Sequence, residues 1–170
     1  ESEGMDRRTL ELPKNQNKLI EEICKVNKKV IVVLSNGSPV TMPWIDKVKA
    51  IVTGYLGGEA GARAMVNCLL GKVNPSGKLA ETYPLKIEDT PCYKNYPGTE
   101  VSVEYKESIY VGYRYYDKNK VDVLFPFGHG LSYTKFEYSN LQVKEGEKIE
   151  ISFNIKNTGK VKGKEAAQVY

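Results

Sequence analysis

The run KVIVVLS, residues 29–35, decides the fold. It is apolar and β-branched without alternation, the pattern of a strand buried on both faces of a parallel sheet. Just before it, NQNKLIEEICKV (residues 15–26) sets Leu19, Ile20, Ile23, Cys24 and Val26 near a 3.6-residue period, which predicts an amphipathic helix. The polar segment ESEGMDRRTLELP opens the chain and closes on Pro13. After the run, NGSP breaks the strand and residues 41–47 read as a short helix. KAIVT (residues 49–53) then repeats the buried-strand pattern. It leads directly into YLGGEAGARAM (residues 55–65). Residues 60–70 carry Met65, Val66, Leu69 and Leu70 as a helical core stripe, stopped by Gly71. NPSG (residues 74–77) is a turn, and residues 78–82 are expected as a third strand cut off by Pro84. Helix and strand alternate throughout, so the first part is an α/β domain with a mostly parallel sheet.

The texture changes after residue 90. Eight tyrosines fall between Pro91 and Tyr133, among few aliphatic residues. VEYKESIYVGYRYYD (residues 103–117) reads as extended or mixed, ending in a turn at Asp117, Lys118 and Asn119. FPFGHGLSYT (residues 125–134) is a loop punctuated by Gly and Pro. A third texture follows. KIEISFNIK (residues 148–156) alternates cleanly, with Ile149, Ile151, Phe153 and Ile155 on one side, the mark of a half-buried strand. NTGKVKG is a turn, and EAAQVY reads as the next strand starting. Two strands do not make a stable β domain. The chain is therefore expected to be a fragment that stops inside an all-β unit.

Composition narrows the function. The 170 residues are 41% hydrophobic and 27% charged, a globular balance. The net charge of +4 comes from 25 basic and 21 acidic residues, scattered except for KVKGK near the end. No basic stripe runs along one element, so nucleic acid is not an expected partner. No apolar run approaches the ~20 residues of a membrane span. Cys24, Cys68 and Cys92 are odd in number and far apart, which argues against a disulfide framework and favours a reducing compartment. One histidine and no paired cysteines argue against a structural zinc site, and no cofactor is expected.

Glu59 is the residue that raises a chemical question. It follows Gly57 and Gly58 and stands before a helix. Acids are favoured at helix starts, which would make it structural. In open α/β sheets, however, ligands bind beyond the carboxyl ends of the strands, and this loop leaves the strand KAIVT directly. GGEAGA lacks the G-x-G-x-x-G spacing and the Lys-Ser/Thr pair of phosphate loops, and a carboxylate would repel phosphate. General acid/base work suits a carboxylate on that edge. Glycoside hydrolysis is the reaction class most often built on two carboxylates.

Several stretches, in order, resemble glycoside hydrolase family 3, many of whose members are β-glucosidases or β-xylosidases. They are DRRTLELPKNQ, VIVVLSNGSPV, GYLGGEAGARAMVNCLLGKVNPSGKL, and the run from YPG through VGYRYYD to LFPFGHGLSYTKFEYSNL. The tail from KIEISFNIKNTG to EAAQVY resembles the start of the fibronectin type III-like domain of that family. NPSGKL and FPFGHGLSYT together are the most specific of these motifs. The resemblance implies an α/β sandwich over residues 1–133 and the beginning of an immunoglobulin-like β sandwich over residues 134–170. It also implies that a barrel carrying the nucleophilic Asp is absent from this chain. The reaction implied is retaining hydrolysis of terminal β-linked sugars in an oligosaccharide or aryl β-glycoside, with Glu59 matching the general acid/base. On the same resemblance the isolated chain is expected to be inactive, and the barrel is its expected partner.

Glu3 is a further candidate, for substrate binding. Asp6 and Arg7 read as a structural ion pair, and His129 as a loop histidine bonded to backbone. Trp44 and the tyrosines of residues 105–116 read as packing groups rather than sugar platforms. Two alternatives stay open beside the β-glucosidase: a non-catalytic docking module, and a β-xylosidase-type member. An N-acetylglucosaminidase-type member is disfavoured, because its catalytic acid sits in the barrel.

Overall fold

The apolar run forms a strand, β1 (Ile31–Leu34). The computed structural model of the chain describes residues 4, 5 and 7–170. The chain folds as two compact units, Glu1–Met65 with Leu79–His129, and Val66–Lys78 with Gly130–Tyr170.

In the first unit, helix α1 (Lys14–Val26) starts directly after Pro13, whose fixed φ suits the position ahead of a helix. Strand β2 (Ala50–Thr53) pairs with β1 in parallel, Ile31 opposite Ala50 and Leu34 opposite Thr53. The expectation of burial on both faces of β1 is corrected. Val32 and Leu34 are buried, but Ile31 and Val33 are 52% and 44% exposed. Among the described residues β1 has β2 as its single strand neighbour. Its open side, with Leu12, Leu19 and Ile23, lines an apolar groove of about 440 Å³.

The core gathers Val32, Leu34, Val40, Met42, Trp44, Leu79 and Tyr83, with Ile20 of α1 packed against it. Trp44 and Tyr83 are fully buried, and each such side chain contributes about 1.5–3 kcal/mol by leaving water. The short helix expected over residues 41–47 is a 3₁₀ turn at Ile45–Lys47.

The strand expected over residues 78–82 is displaced. The ladder instead holds β3 (Tyr83–Pro84), antiparallel to β4 (Val123–Phe125). Pro84 lacks a donor, and proline is confined to short or edge strands; here it ends a strand of two residues. The extended reading of residues 103–117 also gives way. Helix α3 (Tyr113–Asn119) forms there, entered at Gly112 and stopped by Lys120 in the left-handed region. Tyr113 and Tyr116, three residues apart, share one face; Tyr116 is buried and Tyr113 rests on Phe127 at 5.3 Å.

Helix α2 (Gly61–Leu69) carries the predicted period but has no buried residue. Val66, Leu69 and Leu70 are 50%, 39% and 63% exposed, which corrects their reading as core. Periodicity marks the face a helix is built to bury; it does not supply the cover.

In the second unit, β5 (Phe136–Lys144) and β6 (Glu150–Asn157) form an antiparallel pair, Phe136 opposite Asn157 and Lys144 opposite Glu150. Tyr138 and Phe153 meet on one face with ring centroids 5.8 Å apart. The rest of that face is open, Ile151 and Ile155 being about 40% exposed. EAAQVY joins no ladder among the described residues.

Candidate functional site

The carboxyl ends of β1 and β2 are locked together by polar contacts. Leu34 O accepts from Gly54 N at 2.9 Å, and Ser35 Oγ donates to Tyr55 O at 3.2 Å. Asn36, buried just past β1, uses both ends of its amide. Its Oδ1 accepts from Thr53 Oγ1 at 2.9 Å, while Nδ2 donates to Ser38 O at 2.8 Å and Tyr83 Oη at 3.0 Å. Nothing in the sequence reading singled out Asn36. The one signal available was a polar residue straight after an apolar strand, and NGSP explained it as a strand break.

Tyr55 sits at φ +46°, a left-handed conformation unusual for a bulky side chain. Its hydroxyl lies beside Tyr83 and Glu81. Desolvation first, then these two neighbours, raise its pKa far above that of an ordinary phenol.

The glycines that follow have local reasons. A Cβ on Gly57 would stand 2.8 Å from the Gly61 Cα, so the loop folds back on the first residue of α2. Gly58 has φ +62° with open space around it. Glu59 comes next, exposed, two residues before α2 and outside its first turn. It forms no hydrogen bond or ion pair among the described residues. A structural helix-start acid would cap amides or pair with a base; Glu59 does neither.

Glu3 and Asp6 lie outside the described residues. Arg7 does not, and its Nη1 donates to Ser38 Oγ at 2.6 Å and to Pro39 O at 3.1 Å. Arg7 itself is thereby tied to the loop after β1.

Of the remaining candidates, Trp44, His129, Tyr115 and Tyr116 serve packing, while the expectation is corrected for Tyr105. Trp44 is 0% exposed and its indole Nε1 donates to Asn17 Oδ1 at 2.8 Å, so its ring is no surface platform. His129 stacks on Phe125 at 4.8 Å, and its carbonyl accepts from Leu79 N at 2.8 Å. Tyr105 is 82% exposed, whereas Tyr115 and Tyr116 meet edge to face. The three cysteines are free thiols. Among the described residues no cluster of three metal-ligating side chains is gathered.

In the second unit the two most specific motifs meet each other. Asn74 of NPSG accepts at Oδ1 from Ser132 Oγ and Tyr133 N, at 2.9 and 2.8 Å, and donates to Lys162 O at 3.2 Å. Lys78 Nζ donates to Gly130 O at 2.9 Å. These motifs mark the fold rather than the chemistry.

Residues 1–133 match the model of the glycosyl hydrolase family 3 C-terminal domain. The chain is 54% identical over 175 residues to thermostable beta-glucosidase B of Acetivibrio thermocellus, covering 100% of this chain and 23% of that protein. It is 47% identical over 178 residues to a beta-glucosidase of Bacteroides ovatus, covering 99% of this chain and 24% of the relative. It thus spans about a quarter of the length of these relatives. Among solved structures, a family 3 beta-glucosidase of Bifidobacterium adolescentis superposes with TM-score 0.91 at 44% identity, over 95% of this chain and 24% of that one. A beta-glucosidase of Kluyveromyces marxianus in complex with glucose superposes with TM-score 0.88 at 42% identity, over 92% and 19%.

Proposed function

Because this chain belongs to glycosyl hydrolase family 3, we propose that it is part of a retaining β-glucosidase and contributes that enzyme's general acid/base. Residues 1–133 are read as its α/β sandwich domain, and residues 134–170 as the start of a fibronectin type III-like, immunoglobulin-like sandwich. The nucleophilic Asp belongs to a barrel outside this chain, and the chain alone is inactive. The substrate is a terminal β-linked glucose in an oligosaccharide or aryl glucoside.

The observation that carries the reading is the exposed Glu59 carboxyl, without a partner among the described residues, in the loop that leaves the carboxyl end of β2. In the first step the Asp carboxylate attacks the anomeric carbon, and the Glu59 carboxyl gives its proton to the departing oxygen. In the second, the Glu59 carboxylate takes a proton from water as that water displaces the Asp carboxylate from the sugar. Retention requires the two carboxyls about 5–5.5 Å apart.

Glu3 is the second candidate for the same role. It stands four residues before Arg7, which bonds Ser38 Oγ and Pro39 O in the loop after β1.

The test is Glu59→Ala and, separately, Glu3→Ala in the full-length enzyme, assayed on aryl β-glucosides with a good and a poor leaving group. Loss of the acid slows the poor leaving group about 10²–10⁴-fold and the good one far less, with azide restoring part of the latter. Equal, small losses on both substrates exclude that glutamate. Equal, small losses for both glutamates leave the chain as a non-catalytic docking module.

A further inference from the structure

Among the described residues β1 has one open edge, and the groove of about 440 Å³ beside it is lined by Leu12, Leu19 and Ile23 as well as by β1 itself. Val30 O and Leu34 O accept from Lys49 N and Gly54 N on the β2 side. Main-chain groups alternate in direction along a strand, so the N–H and C=O of Ile31 and Val33 point to the open edge. Four such groups beside apolar side chains are a template for another strand. The residues of β1 include no charge and no proline, and its pairing has no bulge, so none of the usual devices blunts this edge.

The path of the chain indicates where a strand on that edge comes from. Arg7 bonds Ser38 Oγ and Pro39 O, and Leu10 O accepts from Thr41 N at 2.9 Å, so residues 7–10 lie beside the loop that leaves the carboxyl end of β1. Helix α1 then returns to the amino end of β1. Bonds from Trp44 Nε1 to Asn17 Oδ1 at 2.8 Å and from Lys47 Nζ to Glu21 Oε1 at 3.2 Å set α1 against the segment that crosses from β1 to β2. Two right-handed crossovers that step the same way along a sheet lie on one face. A parallel strand in the groove, running out at the carboxyl end toward residues 7–10, makes α1 the first of two such crossovers. The chain spans about a quarter of the length of its relatives, which leaves ample polypeptide to supply that strand.

We propose that the groove beside β1 seats a parallel strand from the polypeptide that precedes residue 1 in the full-length enzyme, with α1 as the crossover between that strand and β1. This rests on the reading that the chain is part of a longer enzyme, and not on which glutamate is the acid/base. A second copy is the weaker occupant, because edge pairing with it leaves α1 a crossover with no strand ahead of it.

The test uses the full-length enzyme with p-benzoylphenylalanine, a photo-cross-linker, in place of Leu19 or, separately, Ile23. Both line the groove, both are partly exposed and so accept a larger side chain, and neither takes part in the proposed chemistry. Hydrogen exchange of the unmodified enzyme is read at single amides. The expected cross-link is intramolecular, to a peptide ahead of residue 1, and the Ile31 and Val33 amides exchange about 10³-fold slower than free amides, as those of a paired strand do. A cross-link to a second copy or to any other segment overturns the proposal, and so does the absence of a cross-link from both positions. A cross-link ahead of residue 1 with free exchange at both amides also overturns it, because something other than a strand then fills the groove. β-Glucosidase activity of the same samples tests the underlying reading by itself. An active enzyme with an open β1 edge refutes the strand alone; a full-length protein without glycosidase activity refutes the enzyme reading, while the cross-link still decides the strand.

Discussion

Lys78 and Glu165 form an ion pair at 3.4 Å with side chains only 16% and 13% exposed, joining the NPSGK turn to the end of the chain. Glu165 also accepts from Tyr138 Oη at 2.9 Å. Desolvation and then this carboxylate raise the Tyr138 pKa. Removing one partner strands a charge out of water. Glu165→Ala is expected to destabilise the second unit by roughly 3 kcal/mol, the low end for breaking a buried pair. Lys78→Met combined with Glu165→Leu should cost less than either single loss of charge. Urea unfolding of the four proteins checks this; a double variant as unstable as the worse single one would contradict it.

Much of the architecture is written in local pattern. The apolar run of β1, the period of α1 and the alternation of β6 all name their elements, because each depends on residues close in sequence. What failed depends on partners far away. Ile31 and Val33 read as buried, yet burial needs a second covering surface. Val66, Leu69 and Leu70 failed for the same reason. Tyr113 to Asn119 failed differently: tyrosines fit strands by propensity, whereas here Tyr116 is buried and Tyr113 packs on Phe127 from within a helix. Glu59 was visible because it is a lone acid among glycines. Asn36 was not, because its meaning lies in Thr53 and Tyr83, 17 and 47 residues away.

Trp44 is the only tryptophan, and its buried indole N–H has Asn17 as partner. Asn17→Ala leaves that donor unpaired and should cost about 1–2 kcal/mol. Because Trp44 is wholly enclosed, its emission should be blue-shifted and indifferent to added glucose. Red-shifted or sugar-sensitive emission would mean that the ring reaches the surface.

The Tyr116 phenol has its pKa pushed up to about 12, by burial first and then by Tyr115, Asp89 and Cys92. The unfolded phenol titrates near 10. Between these values the folded chain holds a proton that the unfolded chain has lost, so stability is full below about pH 10 and falls as pH rises toward 12. Tyr116→Phe should remove that slope of about one proton. Unfolding titrations at pH 9 and pH 11.5 measure it, and an unchanged slope in the variant would assign the effect to another group.

Gly58 separates the two meanings of the glycine pair. Its φ of +62° suits glycine, and a Cβ there meets nothing within 4 Å. If the residue serves backbone conformation alone, Gly58→Asn is tolerated, because asparagine enters the left-handed region readily. Gly58→Val is not, and should cost about 1–2 kcal/mol. In the full-length enzyme Gly58→Asn should then keep kcat/KM within about twofold, as an unstrained surface change does. If glycine is needed instead so that a sugar can approach the backbone, asparagine blocks it as valine does. Both variants would then raise KM together while leaving the fold intact. The structure favours the first outcome, since Gly57 against Gly61 and the turn at Gly58 already account for both glycines.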